Sequence, residues 1–187
     1  MKRILIALMC LCVAMMFTAC STETSVKTET SVSVSTSDLQ DLLDKGDKNL
    51  TANKPDDAIK NFDEAIELDD ECIAAYTGRG IAYAMKHDID AALKDFNQTV
   101  KLDPKYAEGY GNIGQAYADK GDAAQAVSNF NKAIELDAKY DTAYVNRGLV
   151  LYKAGDTDKA VADFKKALEV NPNNADAKKA LEQATAN

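Results

Sequence analysis

Residues 109–114 read Gly-Tyr-Gly-Asn-Ile-Gly, a formal match to the glycine spacing that lets a backbone cradle a dinucleotide pyrophosphate. That chemistry needs a preceding strand and a βαβ unit. Here the six residues lie inside a segment of helical periodicity, and Gly114 is explained by helix packing. His87 is the only histidine, and it sits in the polar turn Lys86-His87-Asp88. One imidazole cannot build a histidine-rich metal site. There is no HExxH, GxSxG, phosphate loop, paired CxxC or DxDxDG calcium loop. Carboxylates are abundant, but no pair stands out as an acid and base. The sequence therefore predicts no catalytic residue, no metal, no cofactor and a non-enzymatic chain.

Composition narrows the remaining classes. The chain has 187 residues, 46% of them hydrophobic and 28% charged, enough apolar material for one domain or a small repeat array. Acidic residues outnumber basic ones 30 to 22, giving a net charge of −8. Such a chain repels phosphate backbones, so no nucleic-acid partner is expected. With no Trp, 3 Pro and 9 Gly, collagen-like and low-complexity classes are excluded.

The amino terminus reads as an address. Lys2 and Arg3 precede an unbroken apolar run from Ile4 to Phe17. This is the pattern of a secretory signal peptide over residues 1–19. It is short of the about 20 residues that a membrane-crossing helix needs. The phrase Phe17-Thr18-Ala19-Cys20 resembles a bacterial lipobox. The resemblance implies a diacylglycerol on the sulfur of Cys20, cleavage before it, and a mature chain anchored by lipid. It implies a bacterial source, in which Ser21 after the anchor fits outer-membrane sorting, facing the periplasm where there are two membranes. Residues 20–37 then form a lipidated cysteine and a tether, with TETSV at 22–26 and again at 28–32. A disordered seventeen-residue spacer spans roughly 20–25 Å. Ser37 with Gln40 suits a capping box that opens the first helix. Cys10 and Cys12 fall in the discarded segment, which leaves Cys72 without an internal disulfide partner. A small buried hydrophobe is its plain reading, and an intermolecular disulfide the alternative. Asn49-Leu50-Thr51 and Asn97-Gln98-Thr99 match the glycosylation sequon, which a bacterial lipoprotein would leave bare.

From residue 39 the chain repeats with one period. Phe62, Phe96, Phe130 and Phe164 are 34 residues apart, as are Ala58, Ala92, Ala126 and Ala160, and Gly46, Gly80, Gly114 and Gly148. Each period carries two apolar stripes at spacings of three and four, hence two amphipathic helices joined by polar turns such as Lys120-Gly121-Asp122. Small residues mark where helix axes approach, and phenylalanine fills the space they leave. A single hairpin cannot bury both faces, so neighbours must stack.

These columns resemble the tetratricopeptide repeat over residues 39–174. Tyr76, Gly80, Tyr83, Ala92, Phe96 and Pro104 carry the likeness best; Tyr110, Gly114, Tyr117, Ala126 and Phe130, then Tyr144, Gly148, Ala160, Phe164 and Pro172, repeat it. Tyr replaces the usual Trp, and Arg79 and Arg147 stand where Leu is typical. The resemblance implies an all-α, right-handed α-solenoid of four helix-turn-helix units. The units are 39–72, 73–106, 107–140 and 141–174, with 175–187 as a capping helix. In this family the first helix of each unit lines a concave groove. By that register the groove residues are Asp44, Asp47, Thr77, Ile81, Met85, Glu108, Asn112, Gln115, Asp119, Val145, Asn146, Leu149 and Tyr152. Asn112 and Asn146 fit the family's carboxylate clamp, but its lysine and arginine are missing. Ile81, Met85, Val145, Leu149 and Tyr152 form an apolar set that the register leaves open. Residues 39–72 hold 11 acidic and 4 basic residues, a local charge of −7.

The expected function is a membrane-anchored scaffold or adaptor in envelope assembly. It binds protein or peptide segments with apolar anchors and basic residues. The alternative is a lipoprotein receptor for a small ligand or free peptide. Nothing in the sequence sets the oligomeric state.

Overall fold

A computed structural model describes residues 36–186. Among the described residues the chain is all-α, with nine helices and no strand. They are α1 (Thr36–Thr51), α2 (Pro55–Leu68), α3 (Ile73–Met85), α4 (Ile89–Leu102), α5 (Ala107–Lys120), α6 (Ala123–Leu136), α7 (Asp141–Lys153), α8 (Thr157–Val170) and α9 (Ala175–Thr185). They fall into two compact units, divided between Leu102 and Asp103.

The helices start and stop for local reasons. Pro55 opens α2, where its missing N–H would have had no partner anyway. Asp122 caps α6 by accepting from the Gln125 N–H, and Asn174 caps α9 by accepting from the Ala177 N–H. Each hairpin turns through one left-handed residue, at Asn53, His87, Gly121 and Gly155, again 34 apart. Glycine adopts this conformation freely; His87 does so at a cost. Ser37, predicted to cap the first helix, lies in its first described turn. Thr36 is already helical, and the Gln40 amide donates to Asp44 Oδ1 at 2.7 Å, one turn on.

In the first unit α1 packs on α2, α2 on α3 and α3 on α4. Phe62 is buried under two glycines, Gly46 of α1 and Gly78 of α3, and a Cβ on either would overlap its ring. Phe96 is buried against Gly80 in the same way. Ala58, Ala65, Ala75 and Ala92 are fully buried where helices meet. Cys72 is also fully buried at the start of α3, as a small hydrophobe would be, and its sulfur is out of reach of a second chain.

In the second unit α5 to α8 pack consecutively and α9 covers α7 and α8. Phe130 with Ala126, Ala133, Ala143 and Val150 forms one layer, flanked by Tyr110, Tyr117 and Tyr140. Phe164 with Ala160, Ala180 and Ala184 forms another, which α9 helps to build. Burying each phenylalanine contributes about 2–3 kcal/mol. The glycines of the nucleotide-like phrase are accounted for: Gly111 admits the Tyr140 ring, Gly114 admits Phe130, and all six residues lie within α5.

Candidate partner-binding surface

The predicted groove residues divide into three groups. Cys20, with the signal peptide and the tether up to residue 35, lies outside the described residues. The apolar set is not an open patch. Ile81 is 2% exposed and Val145 4%, and Thr77, predicted beside them, is 2% exposed. Met85, Leu149 and Tyr152 are half-buried. In the second unit the reason is explicit. Val145 packs with Tyr144, Ala167 and Ala177, and Leu149 lies against the same group. Leu149 and Tyr152 also pack against the cluster of Ala160, Phe164, Ala180 and Ala184, as does Leu181. α9 therefore occupies the face that the register assigned to a ligand. Apolar residues of a first helix serve stacking, and a lysine at Ile81 or Leu149 would break packing rather than probe binding. Thr77 adds a cost of its own, since its buried hydroxyl has no hydrogen-bond partner.

The polar members remain accessible. In the first unit Asp44 is exposed and Asp47 is half-buried. Burial, and then the charge of Asp44, push the Asp47 carboxyl up to about 6. In the second unit Glu108, Asn112 and Gln115 on α5 and Asn146 on α7 are half-buried, and Asp119 is exposed. Burial raises the Glu108 carboxyl, the Tyr106 hydroxyl opposes this by donating at 3.1 Å, and Asp137 adds to the rise. Gln115 Nε2 donates to Asp119 Oδ1 at 3.0 Å. No lysine or arginine stands among these positions, so a bound anion would find no countercharge there.

Sequence reasoning noted Arg79 and Arg147 only as departures from leucine. The structure gives them a role. Arg79 on α3 forks onto Asp95 of α4, with Nε to Oδ2 and Nη2 to Oδ1 both at 2.8 Å. Its remaining nitrogen, Nη1, donates to Asp63 of α2 at 2.6 Å. Arg147 on α7 repeats this with Asp163 of α8 at 2.8 and 2.6 Å, and with Asn131 of α6 at 2.6 Å. Each guanidinium lies over a tyrosine, Tyr76 at 5.5 Å and Tyr144 at 5.6 Å from the ring centroid. The hydrogen bond to Asp95 holds Arg79 protonated more firmly than usual, against the opposing effect of burial; Asp163 does the same for Arg147. Each arginine thus ties three helices and two successive hairpins. The signal in the sequence was the spacing: both partners lie 16 residues from the arginine, one on each side.

Three family models match: "Tetratricopeptide repeat" over residues 43–107, "TPR repeat" over 114–155, and "Tetratricopeptide repeat" over 142–174. Among solved structures, the chain is similar to MamA, at 26% identity and a TM-score of 0.65, covering 80% of this chain and 81% of that one. It is similar to the first such domain of Spaghetti (RPAP3) bound to the HSP90 peptide SRMEEVD, at 25% identity and a TM-score of 0.58, covering 61% of this chain and 90% of that one. The thermophilic protein TTC0263 of Thermus thermophilus shares the fold, at 24% identity and a TM-score of 0.71, covering 79% and 81%.

Proposed function

We propose that this chain, which is built of tetratricopeptide repeats, is a non-enzymatic scaffold that holds a basic protein segment on the polar faces of its first helices. We further propose that a lipid on Cys20 anchors it in a bacterial envelope, where it serves assembly. A fold of this kind binds proteins or peptides through surfaces already ordered before the partner arrives, so little entropy is lost by the receptor. One observation carries the choice of partner. The polar groove positions of α5 and α7, Glu108, Asn112, Gln115, Asp119 and Asn146, offer carboxylates and amides and no cation, while the exposed lysines of these helices, Lys120 and Lys153, stand in their last turns. Lysine or arginine side chains would neutralise the acids, and the amides can bond to an extended backbone. The peptide SRMEEVD bound by the RPAP3 domain ends in acids. The residue set here favours the opposite charge. A lipid at Cys20 would hold the scaffold in the membrane plane and raise the local concentration of partners there.

The test is crosslinking from native membranes, read by mass spectrometry, with wild type against Asp119→Lys/Asn146→Lys. Both forms are first matched for helical signal and melting. Loss of the captured proteins from the variant is the expected result. Equal capture by both would place the interface elsewhere and overturn this reading of the surface. Fractionation of Cys20→Ser tests the anchor separately: the wild type is expected in membranes and the variant outside them, and co-fractionation of the two would reject lipidation.

A further inference from the structure

The last turn of the array departs from the repeat at three places, and the three meet. The residue that opens the turn is Asp69, Asp103 and Asp137 in the earlier repeats and Asn171 in the last. The residue before the next helix is Cys72, Tyr106 and Tyr140, and then Asn174. The first residue of the repeat's own first helix is Ile73 in α3 and Ala107 in α5, but Asp141 in α7. Asp141 Oδ2 accepts from Asn171 Nδ2 at 2.7 Å and from Asn174 Nδ2 at 2.8 Å. An aspartate at the first of these places has no proton to give. With its nitrogen held by Asp141, Asn174 turns its oxygen to the Ala177 N–H at 2.8 Å and so caps α9. One carboxylate on α7 thus orients both the turn and the cap of α9.

The rest of the hold on α9 is slight. Ala177 joins Tyr144, Val145 and Ala167 in one cluster, and Ala180 and Ala184 join Ala160 and Phe164 in another, with Leu181 half-buried beside them. Alanine methyls bury far less area than the phenylalanines that pin the hairpins. At 11 residues α9 is shorter than the about 12–15 that hold a helix alone in water, so off its seat it unwinds. We infer that α9 is a latched lid, which leaves its seat ahead of the hairpin beneath it, and that Asp141 is the latch. Its departure bares Val145, Leu149 and Tyr152, the apolar side chains of α7 that its seating covers. The second unit thus shows or withholds an apolar face through one terminal helix, and a change at one side chain shifts that balance.

Native-state hydrogen exchange on the full chain, read by mass spectrometry, tests this. In the wild type the amides of α9 are expected to exchange about tenfold or more faster than the slowest of α7 and α8. Asn171→Asp probes the latch. It supplies the residue that the other turns carry, and it keeps the oxygen that accepts from the Asn173 N–H, but it sets a second carboxylate against Asp141. It is expected to speed exchange in α9 by about tenfold, with α7 and α8 unchanged within about twofold, and to raise the fluorescence of anilinonaphthalene sulfonate, a dye that lights on apolar surface. Asp141→Ala gives α7 the residue that opens α5; it is expected to speed α9 by about fivefold and to abolish the further effect of Asn171→Asp. If Asn171→Asp acts equally with and without Asp141, the latch is overturned. If α9 of the wild type exchanges in step with the slowest amides of α7 and α8, the lid is overturned, and that measurement needs no variant to fold.

Discussion

The two units solve the same packing problem with different chemistry. In the first, Arg79 faces two carboxylates, and Phe62 is pinned under two glycines. In the second, Arg147 faces one carboxylate and one amide, and Asn146 stands where the first unit has Gly78. The first unit also holds the greater share of acid. Its second carboxylate teaches that a repeat can tolerate an arginine in an apolar position when its acceptors arrive from both neighbouring second helices. The second unit shows how little of that set is indispensable.

The sharpest way to break the comparison is at the arginines. Arg79→Leu leaves Asp95 buried and Asp63 unanswered, and is expected to cost about 3–5 kcal/mol in chemical denaturation. Arg147→Leu strands only one carboxylate and should cost less. Removing both members, as in Arg79→Leu/Asp95→Leu, should recover much of the loss, because the uncompensated buried charge is what costs most. If Arg79→Leu alone is harmless, the fork contributes nothing. Next in size is Gly78→Ala, which pushes a methyl into the Phe62 ring and should cost about 1–3 kcal/mol. Asn146→Ala, at the matching place in the second unit, is expected to stay within about 0.5 kcal/mol, measured by the same unfolding curves.

Two smaller effects sharpen the contrast. His87 occupies a left-handed turn that the second unit gives to Gly121 and Gly155. His87→Gly should therefore raise the melting temperature, by an amount set by about 0.5–1 kcal/mol. Gly121→Ala should lower it. The least is the pH response of the first unit. Asp47 has its carboxyl raised from 3.8 to about 6 in the fold, so the folded state binds its proton more tightly than the unfolded chain. That stabilisation is complete below about pH 4 and is lost as the pH rises through 6. Titrating wild type against Asp47→Asn between pH 4 and 7 should show a shallower slope for the variant; parallel curves would remove Asp47 from the account.

The fold was legible because three residue columns kept one period, and each column does one job. Phe62, Phe96, Phe130 and Phe164 are all buried, and Gly46, Gly80, Gly114 and Gly148 all receive their rings. The surface was only half legible. Periodicity locates the face of a first helix, but the stacking seam and the open face are neighbours on it, about one residue apart in register. Asp44 and Asp119 are exposed, whereas Ile81 and Val145 went into the seam because their apolar side chains are buried there. Hydrophobicity itself was the missing argument, since an isoleucine beside a seam is stacked before it is offered to a partner. The clamps were illegible for another reason. Aspartates are so common in this chain that two of them 16 residues from an arginine raise no alarm until helix packing brings them together.

The closing helix α9 has one more consequence, for the length of the molecule rather than its stability. α9 packs on α7 and α8, with Ala177 beside Val145 and Ala180 beside Phe164. Its apolar residues sit where a fifth hairpin's first helix would sit. A 34-residue repeat spliced in after Asn174 could take that seat and pass α9 on to its own far side. The second unit could in that sense grow one hairpin at a time, with α9 still covering its last pair of helices.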